Sequence, residues 1–171
     1  MTGIAASDVS AVLVTRGDVN MAPILDSLHE QGVEDIILWD NSVRENEGVY
    51  GRYIGAAEAA YDVILFQDDD LFVPCIAELC DAYEPGVVTI NFPAEYPLDI
   101  PWMGYGSIFD RGLWREPHQR YLAVFPFDAF FRNVCDAVFS MLTPLKVIHG
   151  GVHHRPEAYR PDRTSNQPDW Y

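Results

Sequence analysis

Residues 63–70 read Val-Ile-Leu-Phe-Gln-Asp-Asp-Asp, an apolar strand pattern that ends in three consecutive carboxylates. Carboxylates a few ångströms apart repel each other by about 3 kcal/mol per pair at an effective dielectric of ~20. A cation would offset this repulsion, and a divalent metal is the first candidate. Because side chains alternate along a strand, we expect Asp68 and Asp70 to project together and Asp69 to point away. The alternative is a solvated acidic turn that caps the helix after Pro74.

The chain before this stretch alternates between strand and helix patterns. The predicted elements are strands at Val9–Thr15, Asp35–Trp39 and Val63–Gln67 and helices at Met21–Gln31 and Gly51–Tyr61. This order predicts an α/β fold with a mostly parallel sheet and helices on both faces, in three layers. Right-handed crossovers place the loops that follow the strands at one edge of the sheet. We therefore expect Arg16, Asp40 and the three aspartates to share that edge.

The second half of the chain is less regular. We predict helices at Pro74–Tyr83 and Phe127–Leu142 and strands at Val87–Phe92, Ser107–Phe109 and Leu145–Val152. The segment 93–105 is rich in proline, tyrosine and tryptophan, which indicates a loop that lines a site. The last predicted strand leads to His153 and His154, and a polar, proline-rich tail follows from residue 155.

Composition excludes several classes of function. A length of 171 residues with 49% hydrophobic residues fits a single domain, 1–171. The net charge of -15 argues against nonspecific attraction to nucleic acid or to anionic membranes. The three cysteines, an odd number without paired spacing, argue against a disulfide framework and structural zinc. No apolar segment reaches the ~20 residues of a membrane span, so we expect a cytoplasmic protein.

Several ordered motifs together resemble a known family. The motifs are the strand and turn at 12–16, the segment Ile-Ile-Leu-Trp-Asp-Asn-Ser at 36–42, Gly51-Arg52 before an alanine-rich helix, and the acidic segment 64–70. This arrangement resembles the nucleotide-sugar half of GT-A fold glycosyltransferases, most closely the family-two type with its D-x-D motif. The resemblance covers roughly the first half of the chain. It implies a donor half at 1–92, an acceptor and catalytic half at 93–154, and a tail or lid at 155–171.

The resemblance also implies roles for individual residues. The donor would be a nucleoside-diphosphate sugar, most often UDP-linked in this family, held with Mn²⁺ or Mg²⁺. Thr15 and Arg16 would lie under the nucleotide, Asp40 would accept a hydrogen bond from the base, and Arg52 would brace the nucleotide side. The whole set of implied donor-binding residues is Thr15, Arg16, Asp40, Arg52, Asp68, Asp69 and Arg155. The implied metal ligands are Asp68, Asp70, His153 and His154.

Four further assignments each have a structural alternative. Asp128 lies where the family places its catalytic base, and it can equally serve as the N-cap of the helix that it precedes. His153 and His154 are either a third metal ligand or ordinary surface histidines. Arg155, with arginines further along the tail, either closes over a diphosphate or belongs to a solvated terminus. Trp102 and Tyr105 either stack on the acceptor or pack in the core.

The leading hypothesis is a metal-dependent glycosyltransferase that acts on an acceptor hydroxyl. The acceptor classes that stay open are a glycan, a lipid-linked sugar, a protein and a modified DNA base. One alternative is a noncatalytic module that binds a nucleotide or a metal. The other is a sugar-phosphate nucleotidyltransferase, but that class requires a glycine-rich phosphate loop that residues 15–18 do not supply.

Overall fold

The computed structural model describes residues 3–94 and 102–155. Its strands are β1 Val9–Thr15, β2 Asp35–Asp40, β3 Val63–Asp68, β4 Leu71–Phe72, β5 Val88–Asn91, β6 Ser107–Asp110, β7 Leu145–Ile148 and β8 His153–His154. Its helices are α1 Ala22–Glu30, α2 Gly51–Gly55, α3 Ile76–Ala82, α4 Arg115–Leu122 and α5 Ala129–Met141. Short 3₁₀ helices occur at Ala6–Asp8, Gly48–Tyr50, Ala56–Glu58 and Met103–Tyr105.

Six strands form one mixed sheet in the order β2-β1-β3-β6-β5-β7. The pairs β1–β2, β1–β3 and β5–β7 are parallel, whereas β6 runs antiparallel to both of its neighbours. Parallel neighbours need a crossover connection, which the helices between β1, β2 and β3 provide. The predicted α/β class with a mostly parallel sheet is confirmed.

Helices cover both faces of the sheet because successive side chains of β1 point to opposite sides. Leu13 packs into a core with α1 and α3, while Val12 packs into a second core with α2 and α5. The second core is strongly aromatic, and its fully buried rings are Tyr53, Phe66, Phe109, Phe131 and Phe139. The structure therefore has the predicted three layers.

Two predicted elements differ from the structure, and one helix of the structure was not predicted. The second helix ends at Gly55 and continues only as a 3₁₀ turn to Glu58. The helix α4 has no counterpart in the sequence prediction; its sequence is largely polar, with Pro117 and His118 as its buried residues. The predicted last strand is split into β7 and β8, because Asn91 binds the backbone between them: Nδ2 donates to Gly151 O at 2.7 Å and Oδ1 accepts from Gly150 N at 2.9 Å.

The helices are short. Within residues 3–94 and 102–155, none combines the length and the apolar character that crossing a membrane requires.

Candidate functional site

The ends of the first three strands meet at one edge of the sheet, which we call the carboxyl edge. Thr15 pairs in register with Asp40 of β2, and Val14 pairs with Asp68 of β3. This confirms that residues far apart in sequence share one edge. Ligands of open α/β sheets bind outside the carboxyl ends of the strands, so this edge is the candidate site.

The acidic stretch does not stay extended beyond its first aspartate. Asp69 and Asp70 form a turn between β3 and β4, and Gln67 Nε2 donates to Leu71 O across it at 3.0 Å. The expectation that Asp68 and Asp70 project from one continuous strand is therefore wrong. Asp69 does not point away into solvent either: it is buried, and its Oδ2 accepts from Thr15 Oγ1 at 2.7 Å.

Asp68 is bound by a buried arginine. Arg52 is only 2% exposed, and its Nη2 donates to Asp68 Oδ1 while its Nη1 lies 3.2 Å from Asp136 Oδ2. Tyr53 completes the group, because its hydroxyl donates to Asp136 Oδ1 at 2.7 Å. We call Arg52, Tyr53, Asp68 and Asp136 the Arg52 network. The sequence assigned Arg52 to the nucleotide, whereas in the structure its guanidinium contacts two carboxylates of the chain itself.

The opposite charges in this network favour the ionised forms of their partners. Burial alone would lower the pKa of Arg52, but Asp136 and Asp68 hold that pKa above its ordinary value. Burial raises the pKa of Asp136, and the contacts with Arg52 and Tyr53 oppose that rise. The guanidinium therefore stays charged between the two acidic groups.

Asp136 and Tyr53 are the residues that sequence reasoning missed. A weak signal for Asp136 exists, since it is a lone carboxylate next to the buried Cys135 on the amphipathic helix α5. A second signal is the placement of Arg52 in a short helix of otherwise apolar and small residues. Neither signal identifies the pairing, because the contact joins distant parts of the chain.

Asp40 is held in a tight polar turn at the end of β2. Its Oδ1 accepts from Ser42 N at 2.8 Å and from Ser42 Oγ at 2.6 Å. Gly17 lies against this turn with φ +79°, and a Cβ there would overlap Ser42. Arg16 lies next to it and forms an ion pair with Asp18 at 3.6 Å. The backbone after β1 thus comes close to Asp40, as a binding loop at a strand end requires.

The second small sheet brings residues of the C-terminal half to the same edge. Strand β8 pairs antiparallel with β4, so His154 lies opposite Leu71, next to the acidic turn. The ring of Tyr105 contacts the ring of His154 edge-on, with 6.0 Å between centroids. A Cβ on Gly104 would overlap the Asp68 carboxylate, so only glycine fits between this turn and β3. Tyr105 thus contacts His154, its neighbour Gly104 packs against Asp68, and His153 and His154 are both exposed.

These acidic and histidine side chains do not by themselves form a closed metal centre. In the described part of the chain, no group of three or more His, Cys, Asp or Glu residues is arranged to hold a metal ion. Asp68 accepts a hydrogen bond from Arg52 through Oδ1, and the Asp68 side chain is 34% exposed. Its second oxygen, Oδ2, is one of the hard oxygen donors at this edge.

Arg155 is placed differently from a residue that closes over a diphosphate. It is 3% exposed, and its Nη1 and Nη2 donate to Asp69 O at 3.2 Å and Asn20 O at 3.0 Å. Its backbone N–H also donates to Asp70 O at 2.8 Å. Arg155 therefore holds the backbone of the acidic turn. The rest of the predicted lid, 156–171, lies outside the described residues.

Asp128 is the N-cap of α5. Its Oδ1 accepts from Phe131 N at 3.0 Å, which confirms the capping alternative for this residue. The phenylalanines close to it in sequence do not enclose it: Phe125, Phe127 and Phe130 are 52%, 45% and 60% exposed. Trp102, assigned to the acceptor, is 59% exposed, so it does not pack in the core.

A surface depression lies at the opposite edge, where β1, β2 and β3 begin, which we call the amino edge. It is lined by Ala57, Asp62, Asp110, Arg111, Gly112 and Arg115. None of these residues was assigned a function from the sequence, and the depression is remote from the strand ends that carry Asp40 and Asp68.

Comparison with known proteins finds a structural similarity but no sequence family. No family model and no curated protein matches the chain. Among solved structures, the chain is similar to a mutant of Drosophila β-1,4-galactosyltransferase 7 in complex with manganese, UDP-Gal and xylobiose. The similarity has a TM-score of 0.45 and 20% sequence identity, and it covers 89% of this chain and 66% of that one.

Proposed function

We propose that this protein is a glycosyltransferase that moves a sugar from a nucleoside-diphosphate sugar, with UDP as the first candidate, to an acceptor hydroxyl. The observation that carries the proposal is the register of Thr15, Asp40 and Asp68 at the carboxyl edge. This edge combines acceptor oxygens for a base and a ribose with one partly exposed arginine, Arg16, for a phosphate.

We assign the donor-binding side chains as follows. Asp40 accepts a hydrogen bond from the base, and the loop around Gly17 allows the nucleotide to approach the backbone. Thr15 and Asp69 are hydrogen-bonded to each other, and this bond holds the turn that follows Asp68 and contains Asp70. Arg52 and Arg155 support the site from the protein side: Arg52 donates to the Asp68 carboxylate, and Arg155 donates to the backbone of the turn.

The donor set at this edge fits a hard divalent cation. Mg²⁺ commonly takes one or two carboxylates and completes its shell with water and substrate phosphate oxygens, so a closed protein cage is not required. Asp68 and Asp70 would hold the ion, with His153 or His154 as a further ligand, and the Asp68 carboxylate packs directly against Gly104, which would help to hold it in place. When bound, Mn²⁺ or Mg²⁺ would supply stabilisation of the negative charge on the leaving diphosphate.

The acceptor side comes from the second half of the chain. Exposed Trp102 and half-buried Tyr105 offer aromatic faces on which a sugar can stack. The acceptor hydroxyl must lose a proton as the new bond forms, and Asp128 is the base that we propose, in addition to its capping role.

The test is release of UDP from a panel of UDP-sugars in the presence of Mn²⁺ and an acceptor library. We expect Asp40→Asn to weaken donor binding and Asp70→Asn to abolish turnover. Asp110→Asn is the matched control, because that carboxylate lies at the amino edge. Full activity of Asp70→Asn would refute the metal assignment.

A noncatalytic nucleotide-binding module is the second candidate, and two observations favour it: Arg52 already pairs with Asp68, and Asp128 caps its helix. Such a module would be stabilised by UDP without turnover. A ligand at a hundred times its dissociation constant stabilises by about 2.7 kcal/mol, which a thermal shift detects.

A further inference from the structure

The Arg52 network is asymmetric. The side chains of Arg52, Asp136 and Asp68 are 3%, 18% and 34% exposed, so the network runs from the interior to the surface. Both oxygens of Asp136 are used, one by Tyr53 and one by Arg52. Asp68 uses only Oδ1 for Arg52.

This asymmetry places the excess charge at one end. Two carboxylates and one guanidinium carry a net charge of -1, and the buried Asp136 end is closed. The uncompensated charge therefore lies at Asp68, at the carboxyl edge. A cation that arrives from solvent meets this charge without displacing Arg52.

The side-chain contacts also restrict movement of Arg52. Tyr53 is completely buried among Phe66, Trp114, His118 and Phe139, so its hydroxyl holds Asp136 from a rigid position. The guanidinium also lies over the ring of Phe66, at 5.4 Å from its centroid. Burying charges is costly, and apolar side chains can often replace a buried ion pair without loss of stability. A gain in stability is therefore a poor explanation for this network. A better one is that the network fixes the position of the Arg52 guanidinium.

We propose that Asp136 and Tyr53 are positioning residues for the cation site: they fix Arg52, which holds Oδ1 of Asp68 and leaves Oδ2 for a divalent cation. This inference rests on the proposed function, which assigns the cation to Asp68. Groups that orient a metal ligand typically change metal affinity by roughly 10- to 100-fold when they are removed.

The experiment measures Mn²⁺ binding to the full chain without any donor or acceptor, from the electron paramagnetic resonance signal of free Mn²⁺. We expect Asp136→Asn to raise the Mn²⁺ dissociation constant roughly 10- to 100-fold. Tyr53→Phe removes only one hydrogen bond, so we expect a rise of about tenfold or less. Tyr53→Phe also serves as the second variant if Asp136→Asn does not fold.

The amino edge supplies matched controls. Asp110 also accepts from a tyrosine, Tyr83, and from a second donor, Gly86 N. Asp110→Asn and Tyr83→Phe therefore remove the same kinds of contact elsewhere, and we expect both to keep the Mn²⁺ affinity of the wild type. Thermal melts of all variants show whether a change in affinity follows a loss of stability.

The outcomes separate the two proposals. Asp136→Asn and Tyr53→Phe proteins that bind Mn²⁺ like the wild type, while Asp68→Asn does not, would overturn the positioning role and leave the cation site in place. A wild type that does not bind Mn²⁺, or an Asp68→Asn protein that binds it unchanged, would remove the cation site itself. An equal loss of Mn²⁺ affinity in the Asp110→Asn control would show that the loss in Asp136→Asn reflects lower stability and not positioning.

Discussion

The two edges of the sheet use the same residue types in different ways. At the carboxyl edge, Arg52 is buried between Asp68 and Asp136. At the amino edge, Arg111 pairs with Asp62 at 2.6 Å, but the Asp62 side chain is 91% exposed and that of Arg111 35%. Each edge also has a tyrosine that donates to an aspartate, Tyr53 to Asp136 and Tyr83 to Asp110.

The difference supports the proposal that the carboxyl edge, and not the amino edge, is the ligand site. An exposed pair is screened by water and contributes about 1 kcal/mol or less, so nothing depends strongly on its geometry. A buried pair is costly to leave incomplete, and its geometry is therefore fixed. The carboxyl edge presents a fixed carboxylate at the surface, while the amino edge mainly ties loops together, for example through Asp110 and Gly86 N.

The largest expected effect is the loss of stability on replacing Arg52, compared with the loss on replacing Arg111. Arg52→Met leaves the buried Asp136 without its cation, and we expect it to lower the free energy of unfolding by about 3–5 kcal/mol. Arg111→Met removes an exposed pair and one hydrogen bond to Ala59 O, and we expect a loss of about 1 kcal/mol. Urea unfolding of both variants measures the difference. Similar losses would show that the two edges do not differ in the way we describe.

A pH titration tests the interior behind the carboxyl edge. The ring of His118 lies 4.6 Å from that of Tyr53, and burial lowers the pKa of His118 to about 4. Unfolded chains take up this proton below a pH of about 6.5. Between these values the unfolded state binds more protons, so stability is fully present above pH 6.5 and falls as the pH drops toward 4.

The expected loss at His118 over this window is on the order of 3 kcal/mol. Urea unfolding at pH 7.5, 5.5 and 4.5 measures it in the wild type and in His118→Gln, which cannot titrate. Because other acidic groups titrate in both proteins, the difference between the two pH profiles is the relevant quantity. Parallel profiles would contradict a depressed pKa at His118.

Two glycines provide a sterically matched comparison of the edges. A Cβ at Gly104 would overlap the Asp68 carboxylate, while a Cβ at Gly112, at the amino edge, would meet nothing within 4 Å. We expect Gly104→Ala to cost about 1–3 kcal/mol in unfolding free energy, as overpacking does. We expect Gly112→Ala to stay within about 0.5 kcal/mol of the wild type. If Gly104→Ala left the free energy of unfolding unchanged, the Asp68 side chain would be free to move, and the claim that its carboxylate is fixed would be wrong.

The strands that form the carboxyl edge could be predicted from the sequence. The strands β1, β2 and β3 and their common edge follow from local apolar patterns and from the handedness of crossovers, which act over short stretches of chain. The same reasoning located Thr15, Asp40 and Asp68, because each lies where a strand pattern ends. The local pattern also contained the capping role of Asp128, because its capping bond is a contact over three residues.

The side-chain pairings were not visible. Thr15 and Asp69 are 54 positions apart and Tyr53 and Asp136 are 83, so only the packed fold brings them together. The turn at Asp69 was missed for a similar reason: it depends on β4 pairing with β8, more than eighty positions away. The sequence thus predicted where the candidate site residues lie, and the structure shows which of them already contact other side chains of the chain.

The smallest effect concerns Asp128 and distinguishes its two roles. Because asparagine is as good an N-cap as aspartate, we expect Asp128→Asn to leave the free energy of unfolding within about 0.5 kcal/mol of the wild type. Asp128→Ala loses the bond to Phe131 N, and we expect a cost of about 1 kcal/mol. Stability is measured by urea unfolding, and turnover is measured on the same proteins. An asparagine cannot accept the acceptor proton, so an Asp128→Asn protein that is stable but inactive supports the base, whereas a stable and active one reduces Asp128 to a cap.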